Sequence, residues 1–136
     1  MTLRNTMVQL VDYRDLQGII TDNELFACSD IDMIYERNGK FLIGEWKKKG
    51  EKVSQGQEIL LKALAKTPNF IVLLITGYSE NTKLVVQKIR LMTKEGKLDT
   101  RYEYDDLDGN ELDDGVNVLK EMIKTWYAWA DNVQKR

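Results

Sequence analysis

The stretch SDIDMIYERNGKFLIGEWKKKG, residues 29–50, decides how the chain is read. Asn38-Gly39 lies between two alternating runs, and Asn-Gly is the strongest short-range hairpin signal, because a type I′ turn needs positive φ at both central residues. With those two residues at the turn, Ile34 faces Ile43, Asp32 faces Glu45 and Asp30 faces Lys47. Strand side chains alternate with period two, so all six project from one face. Asp32 and Glu45 then stand with Cβ atoms about 5 Å apart, a like-charge pair that destabilises a sheet.

Two readings follow. A divalent cation reverses the penalty: Mg²⁺ takes oxygen ligands at about 2.1 Å, keeps several waters, and is commonly held by one or two carboxylates plus substrate phosphates. Asp32 and Glu45 supply the carboxylates, and the backbone carbonyl of Trp46 can add a third oxygen. Lys47, on the same face, can position a metal-acidified water or stabilise charge on phosphorus. In the other reading Asp30 and Lys47 form an ordinary cross-strand ion pair, and Asp32 and Glu45 are tolerated by water. The apolar residues around them sit badly with a fully solvated face.

The chain of 136 residues is 43% hydrophobic, enough for one domain spanning 1–136 with its own core. The longest apolar run, Phe70–Ile75, is far below the roughly 20 residues that cross a bilayer, so no membrane partner is expected. No export signal is visible, and the single Cys28 excludes an internal disulfide, so a cytoplasmic location is expected. Cys28 itself reads as a small buried hydrophobe. The absence of histidine excludes Ser-His-Asp and Cys-His catalysis and His-ligated zinc. Chemistry must rest on carboxylates, lysine, hydroxyls or the thiol.

The net charge of −2 hides an asymmetry. Residues 1–36 hold seven acids and two bases, residues 37–102 six acids and fourteen bases, and residues 103–136 nine acids and four bases. A basic middle between acidic ends suits a phosphate-bearing partner, although lysines that only solvate a helix and a hairpin would give the same totals.

Periodicity places these residues in an α/β (α+β) domain. Leu3, Met7, Leu10 and Val11 recur at helical spacing, which predicts a short helix ending near Gly18. Residues 24–28, ELFAC, read as a lead-in strand. Beyond the Asn38-Gly39 hairpin, a helix is expected from about Ser54 to Lys66, stopped by the approach to Pro68. FIVLLITGY, residues 70–78, has the composition of a strand covered on both faces. LVVQKIRLM and LDTRYEYD, separated by KEGK, read as a second hairpin. Val116, Leu119, Ile123, Trp126, Ala130 and Val133 mark an amphipathic helix from about Asp113 to Gln134.

Asp32 followed by Glu45-Trp46-Lys47 resembles the D-x(n)-E-x-K signature of the PD-(D/E)XK nuclease superfamily, split across a β-hairpin as in that superfamily. DIDMIYERNGKFLIGEWK is similar to the corresponding segment of small bacterial proteins of the Holliday-junction-resolvase and VRR-NUC types. The resemblance covers residues 29 to about 75. It implies a restriction-endonuclease-like core, in which a mixed sheet with flanking helices begins with a three-stranded antiparallel meander; here an extra hairpin and a C-terminal helix would be appended. It also implies that Asp32, Glu45 and the Trp46 carbonyl ligate Mg²⁺ or Mn²⁺, that Lys47 assists the nucleophilic water, and that the substrate is DNA. Many members carry a glutamine on the following helix, a role open to Gln57. Gln57 shares a stripe with Leu60, Leu61 and Leu64, while Gln55 points elsewhere. A homodimer is expected by analogy alone, since cutting two strands takes two sites.

The chain departs from the pattern in two places. No proline precedes Asp30 or Asp32, and only Asp12, Asp15 or Glu24 is available as the acidic residue that the superfamily often places on its first helix. A non-catalytic protein of the same fold, binding nucleic acid or a protein partner as an accessory or inhibitor, is the alternative. DDLDGNELDDG, residues 105–115, lacks the glycine and glutamate order of an EF-hand and reads as an acidic loop before a helix. Trp126, Tyr127 and Trp129 are candidates for base stacking, with Trp126 on the apolar stripe as core. Lys83, Lys88, Arg90, Lys94, Lys97 and Arg101 are the candidates for phosphate contacts.

Overall fold

A computed structural model describes residues 12–104 and 112–132. They fall into two compact units, one up to Asp30 and one from Ile31 onward. Of the short helix expected to end near Gly18, residues 1–11 lie outside the described residues, and residues 12–18 hold a 3-10 turn and no α-helix. Among its described residues the first unit shows one 3-10 turn, Arg14–Leu16, and Asp12 just before it pairs with the Arg14 guanidinium at 2.7 Å. Hydrogen bonds from the Arg14 side chain and backbone N–H hold the Asp12 carboxyl below the usual carboxylate range. Residues 24–28 are not a strand. A short apolar run has β structure only where a neighbouring ladder and a covered face support it, and here Leu25 is 95% exposed and Phe26 and Cys28 are also exposed. The expected three-stranded meander is therefore two-stranded, and Cys28 is not a core residue.

The second unit is an α+β arrangement with a five-stranded mixed sheet. In chain order it runs β1 (Met33–Arg37), β2 (Lys40–Lys47), α1 (Gln55–Lys66), β3 (Phe70–Glu80), β4 (Lys83–Met92), β5 (Leu98–Glu103) and α2 (Leu112–Asp131). The strands lie in sequence order, and every neighbouring pair is antiparallel except β2 and β3, which α1 connects in parallel. Asn38 and Gly39 have φ of 53° and 77°, as a type I′ turn requires, and Arg37 pairs with Lys40, Ile34 with Ile43 and Met33 with Gly44.

Helices cover both faces of the sheet. On one side Ile43, Val72, Leu74 and Met92 pack with Leu61 and Ala65 of α1. On the other, Leu42, Leu73, Ile75, Val86 and Ile89 pack with Leu119, Trp126 and Ala130 of α2. Two-sided burial explains the unbroken apolar run of β3, since neither alternate set meets water. Ser54 caps α1, its hydroxyl accepting the Gln57 backbone N–H, and the helix ends at Lys66 ahead of Pro68. Among the described residues no helix is long and apolar enough to cross a membrane.

The β3–β4 hairpin carries no local turn signal in the sequence. It turns on Asn81 and Thr82, with φ of 50° and 66°. A β-branched residue in the left-handed region is uncommon and costs of order 1 kcal/mol or more, so sequence rules look for glycine there. At the start of α2, Gly115 lies against the Val86 carbonyl and the Tyr102 ring, and an added Cβ would collide with both.

Two stability measurements test these points. Thr82→Gly is expected to stabilise the protein by about 1 kcal/mol in urea unfolding, through relief of the left-handed strain. Gly115→Ala is expected to destabilise it, whereas an unobstructed helix interior would gain up to about 1 kcal/mol from the same change.

Candidate functional site

The site forms where β1 begins and β2 ends. Alternation along β2 directs Ile43, Glu45 and Lys47 to the α1 face, and Leu42, Gly44 and Trp46 to the α2 face. Glu45 is therefore carried into the layer between sheet and helix, where it is 8% exposed and is the one charged residue in the core of the described residues. An ionised carboxylate loses several kcal/mol of hydration on such burial unless hydrogen bonds replace it. Gln57, in the first turn of α1, supplies one: its Nε2 donates to Glu45 Oε1 at 3.0 Å.

Asp32 stands one residue before β1 and is exposed. The ladder follows the expected register but stops at Met33 and Gly44, so Asp32 and Glu45 are not a cross-strand pair within it. The Asp32 carboxylate instead accepts the Trp46 backbone N–H at Oδ2, 2.9 Å away. This removes the reason to regard the two acids as simply opposed on a flat ladder. A bend at Asp32 gives one acid a backbone donor, while a helical glutamine gives the other a side-chain donor. In a strand the N–H and C=O of one residue point the same way, so the Trp46 carbonyl is directed to the edge where Asp32 stands.

Lys47 has a side chain only 11% exposed, and its Nζ lies 3.8 Å from Glu51 Oε2, a loose contact. Its expected partner Asp30 precedes the ladder and belongs to the first unit, so no Asp30–Lys47 cross-strand pair is made in β1–β2. The structure thus brings Glu45 and Gln57 into direct contact and sets Asp32 on the backbone of Trp46, with Lys47 next along β2. Gln55 opens α1 and Gln57 follows two positions later, which accounts for the different directions of the two glutamines.

Among the described residues no group of three or more Asp, Glu, His or Cys is gathered as a metal cage. Asp32, Glu45 and the Trp46 carbonyl could offer oxygen donors of the hard kind that suits Mg²⁺ or Mn²⁺.

The other sequence candidates disperse. Trp126 is core, as its place on the apolar stripe implied. Tyr127 and Trp129 are half-exposed on α2, where Arg37 lies 5.5 Å from the Tyr127 ring centroid and Lys40 Nζ 5.0 Å from that of Trp129. Residues 105–111 of the acidic stretch lie outside the described residues, and Asp113 and Asp114 occupy the first turn of α2. Burial raises the Tyr102 hydroxyl above its usual range, with the Asp114 charge adding to it. No family model, curated protein or solved structure matches the chain.

The Gln57–Glu45 contact has a measurable consequence. Gln57→Ala is expected to lower stability by about 1–3 kcal/mol at pH 7 in urea unfolding, the usual size for a hydrogen bond to a charged group.

Proposed function

We propose that this protein is a metal-dependent nuclease of the PD-(D/E)XK type, with a restriction-endonuclease-like core, that hydrolyses DNA phosphodiester bonds. The observation that carries the reading is Glu45: a carboxylate buried near the end of a strand and held by Gln57 from the crossover helix, with Asp32 on the backbone N–H of the next residue and Lys47 two residues along the same strand. A purely structural position between Ile43 and the apolar face of α1 would be filled more stably by an aliphatic side chain, so an ionisable group kept there points to chemistry. The hairpin followed by a helix and a parallel strand supports the same reading, because the acid, the Glu-x-Lys and the glutamine then meet at one end of the sheet.

Asp32, Glu45 and the Trp46 carbonyl would hold Mg²⁺ or Mn²⁺. When bound, such an ion lowers the pKa of a water and offsets phosphoryl charge. The protein's own groups do the positioning. Gln57 fixes the direction of the Glu45 carboxylate, and the Trp46 N–H fixes that of Asp32. Lys47, largely shielded from water, would orient the attacking water or neutralise the phosphate as negative charge builds up.

The test is cleavage of single-stranded, duplex and branched DNA by purified protein with Mg²⁺ or Mn²⁺. Cleavage is expected with the metal and not with EDTA, and Asp32→Ala, Glu45→Ala and Lys47→Ala are each expected to reduce it by about 10²-fold or more. No cleavage by the wild type, or full cleavage by the three variants, would sink the proposal.

A further inference from the structure

The face of the sheet under α1 carries more positive charge than hydrolysis at Glu45 uses. Lys47 on β2, Thr76 on β3 and Lys88 on β4 are neighbours in one row across the sheet, and Glu45, Leu74 and Arg90 form the next. Alternation puts both rows on the α1 side. Neighbouring strands are about 4.8 Å apart, so β4 is about 10 Å from β2. The first row ends at β5 with a carboxylate, Glu103, 3.9 Å from Lys88 Nζ. The basic residues of the β4–β5 hairpin therefore part company: Lys94 donates to the Ala65 carbonyl and Arg101 pairs with Asp99, whereas Lys88 and Arg90 join the candidate site's face.

Arg90 is the unusual member. Its Nε is shielded from solvent and has no hydrogen-bond partner among the described residues. An unmade bond at a shielded N–H is costly, and a guanidinium is satisfied most strongly by a planar or tetrahedral oxyanion. Arg90 lines a cavity of about 440 Å³ together with Leu61, Leu74, Met92 and Leu98. The two carboxylates in the lining already face lysines: Glu58 pairs with Lys62 at 2.9 Å, and Glu51 approaches Lys47 at 3.8 Å. Glu45, Lys47 and Gln57 are not part of this lining, yet Glu58 directly follows Gln57 in α1, and Leu74 pairs with Glu45 across the ladder. The cavity is thus a separate compartment next to the candidate site.

We propose that Arg90 and Lys88 form an anion subsite that takes a phosphate flanking the one held at Glu45 and Lys47. This rests on the nuclease reading for its ligand, a DNA strand. The Arg90 guanidinium at the cavity wall, with Lys88 two residues earlier on the same face of β4 and outside the lining, would fix the strand's register across β2, β3 and β4, with Glu103 marking where the track ends.

The test reads binding, not cleavage. A single-stranded DNA octamer carrying a 3′ fluorophore is titrated with the full chain in Ca²⁺ at several salt concentrations, for wild type, Arg90→Gln, Arg90→Lys and Lys88→Gln. Arg90→Gln is expected to weaken binding about tenfold and to reduce the slope of log K against log salt by about one, and Lys88→Gln to do the same to a smaller degree. Arg90→Lys should retain the slope, which a merely structural role for Arg90 would not require. Lys88→Gln gives an independent reading should Arg90→Gln fail to fold.

Two sets of octamers identify the phosphate's source. If a 5′-phosphate strengthens wild-type binding and not that of Arg90→Gln, the subsite holds a terminal phosphate. If one internal methylphosphonate weakens the wild type and leaves Arg90→Gln unchanged, it holds an internal one. Unaltered affinity and slope in both neutral variants, or no binding of the octamer at all, overturns the subsite. Arg90-dependent binding without any cleavage removes the nuclease reading and leaves the subsite standing. Glu45-dependent cleavage with Arg90-independent binding does the reverse.

Discussion

A two-residue turn with positive φ at Asn38 and Gly39 sets the register of β1 on β2, and β2 is covered by a helix on each side. Under that constraint the sorting of side chains allows no intermediate solution. A slip of one residue would carry Trp46 to the α1 layer and Glu45 to the α2 layer, away from Gln57. The turn is itself tied down at a distance, since Asn38 Nδ2 donates to the Ala130 carbonyl and Arg37 pairs with Asp131 at 2.8 Å. The far end of α2 thus holds the hairpin whose other end carries the candidate site.

Glu45 shows how polar and apolar demands are reconciled within one layer. Ile43, two residues earlier on the same face, packs with Leu61 and Ala65, whereas Glu45 meets the first turn of α1, where Gln57 is available as a donor. The helix therefore changes character along its length, polar near Ser54 and apolar farther on, in step with the strand beneath it. The same gradient continues across the sheet. Val72 and Met92 accompany Ile43, while Thr76 and Lys88 accompany Lys47. Ionisable groups gather at the end of the sheet where α1 begins.

Aromatic residues take a structural part in holding the other layer. Trp126 is buried with Leu73, Ile75 and Ile89 nearby in one cluster and lies 6.0 Å from Tyr35, centroid to centroid. Tyr127 and Trp129 lie under the cations Arg37 and Lys40, contacts that fasten α2 to the hairpin at some cost in solvent-exposed apolar area. Gly115 permits the opposite end of the helix to approach β4 at backbone distance.

The sequence by itself determined the elements whose signals are local: the Asn38-Gly39 turn and its register, the Ser54-capped helix stopped before Pro68, the doubly covered strand at Phe70–Ile75, and the stripe that buries Leu119, Trp126 and Ala130. Turn register and alternation also put Asp32, Glu45 and Lys47 on one face as candidates, and Gln57 joined them only through what the motif resemblance implies. Tertiary structure alone decided that residues 24–28 form no strand, because a ladder needs a partner that local propensity cannot provide. It decided that the β3–β4 hairpin turns on Asn81-Thr82, where surrounding pairing overrides the preference of threonine for negative φ. It replaced the opposed acids by a bent Asp32 on the Trp46 N–H and a buried Glu45 on Gln57. And it brought Arg90, 45 positions beyond Glu45 in the chain, into the neighbouring row of the sheet, since register between distant strands is set by packing and not by any local pattern.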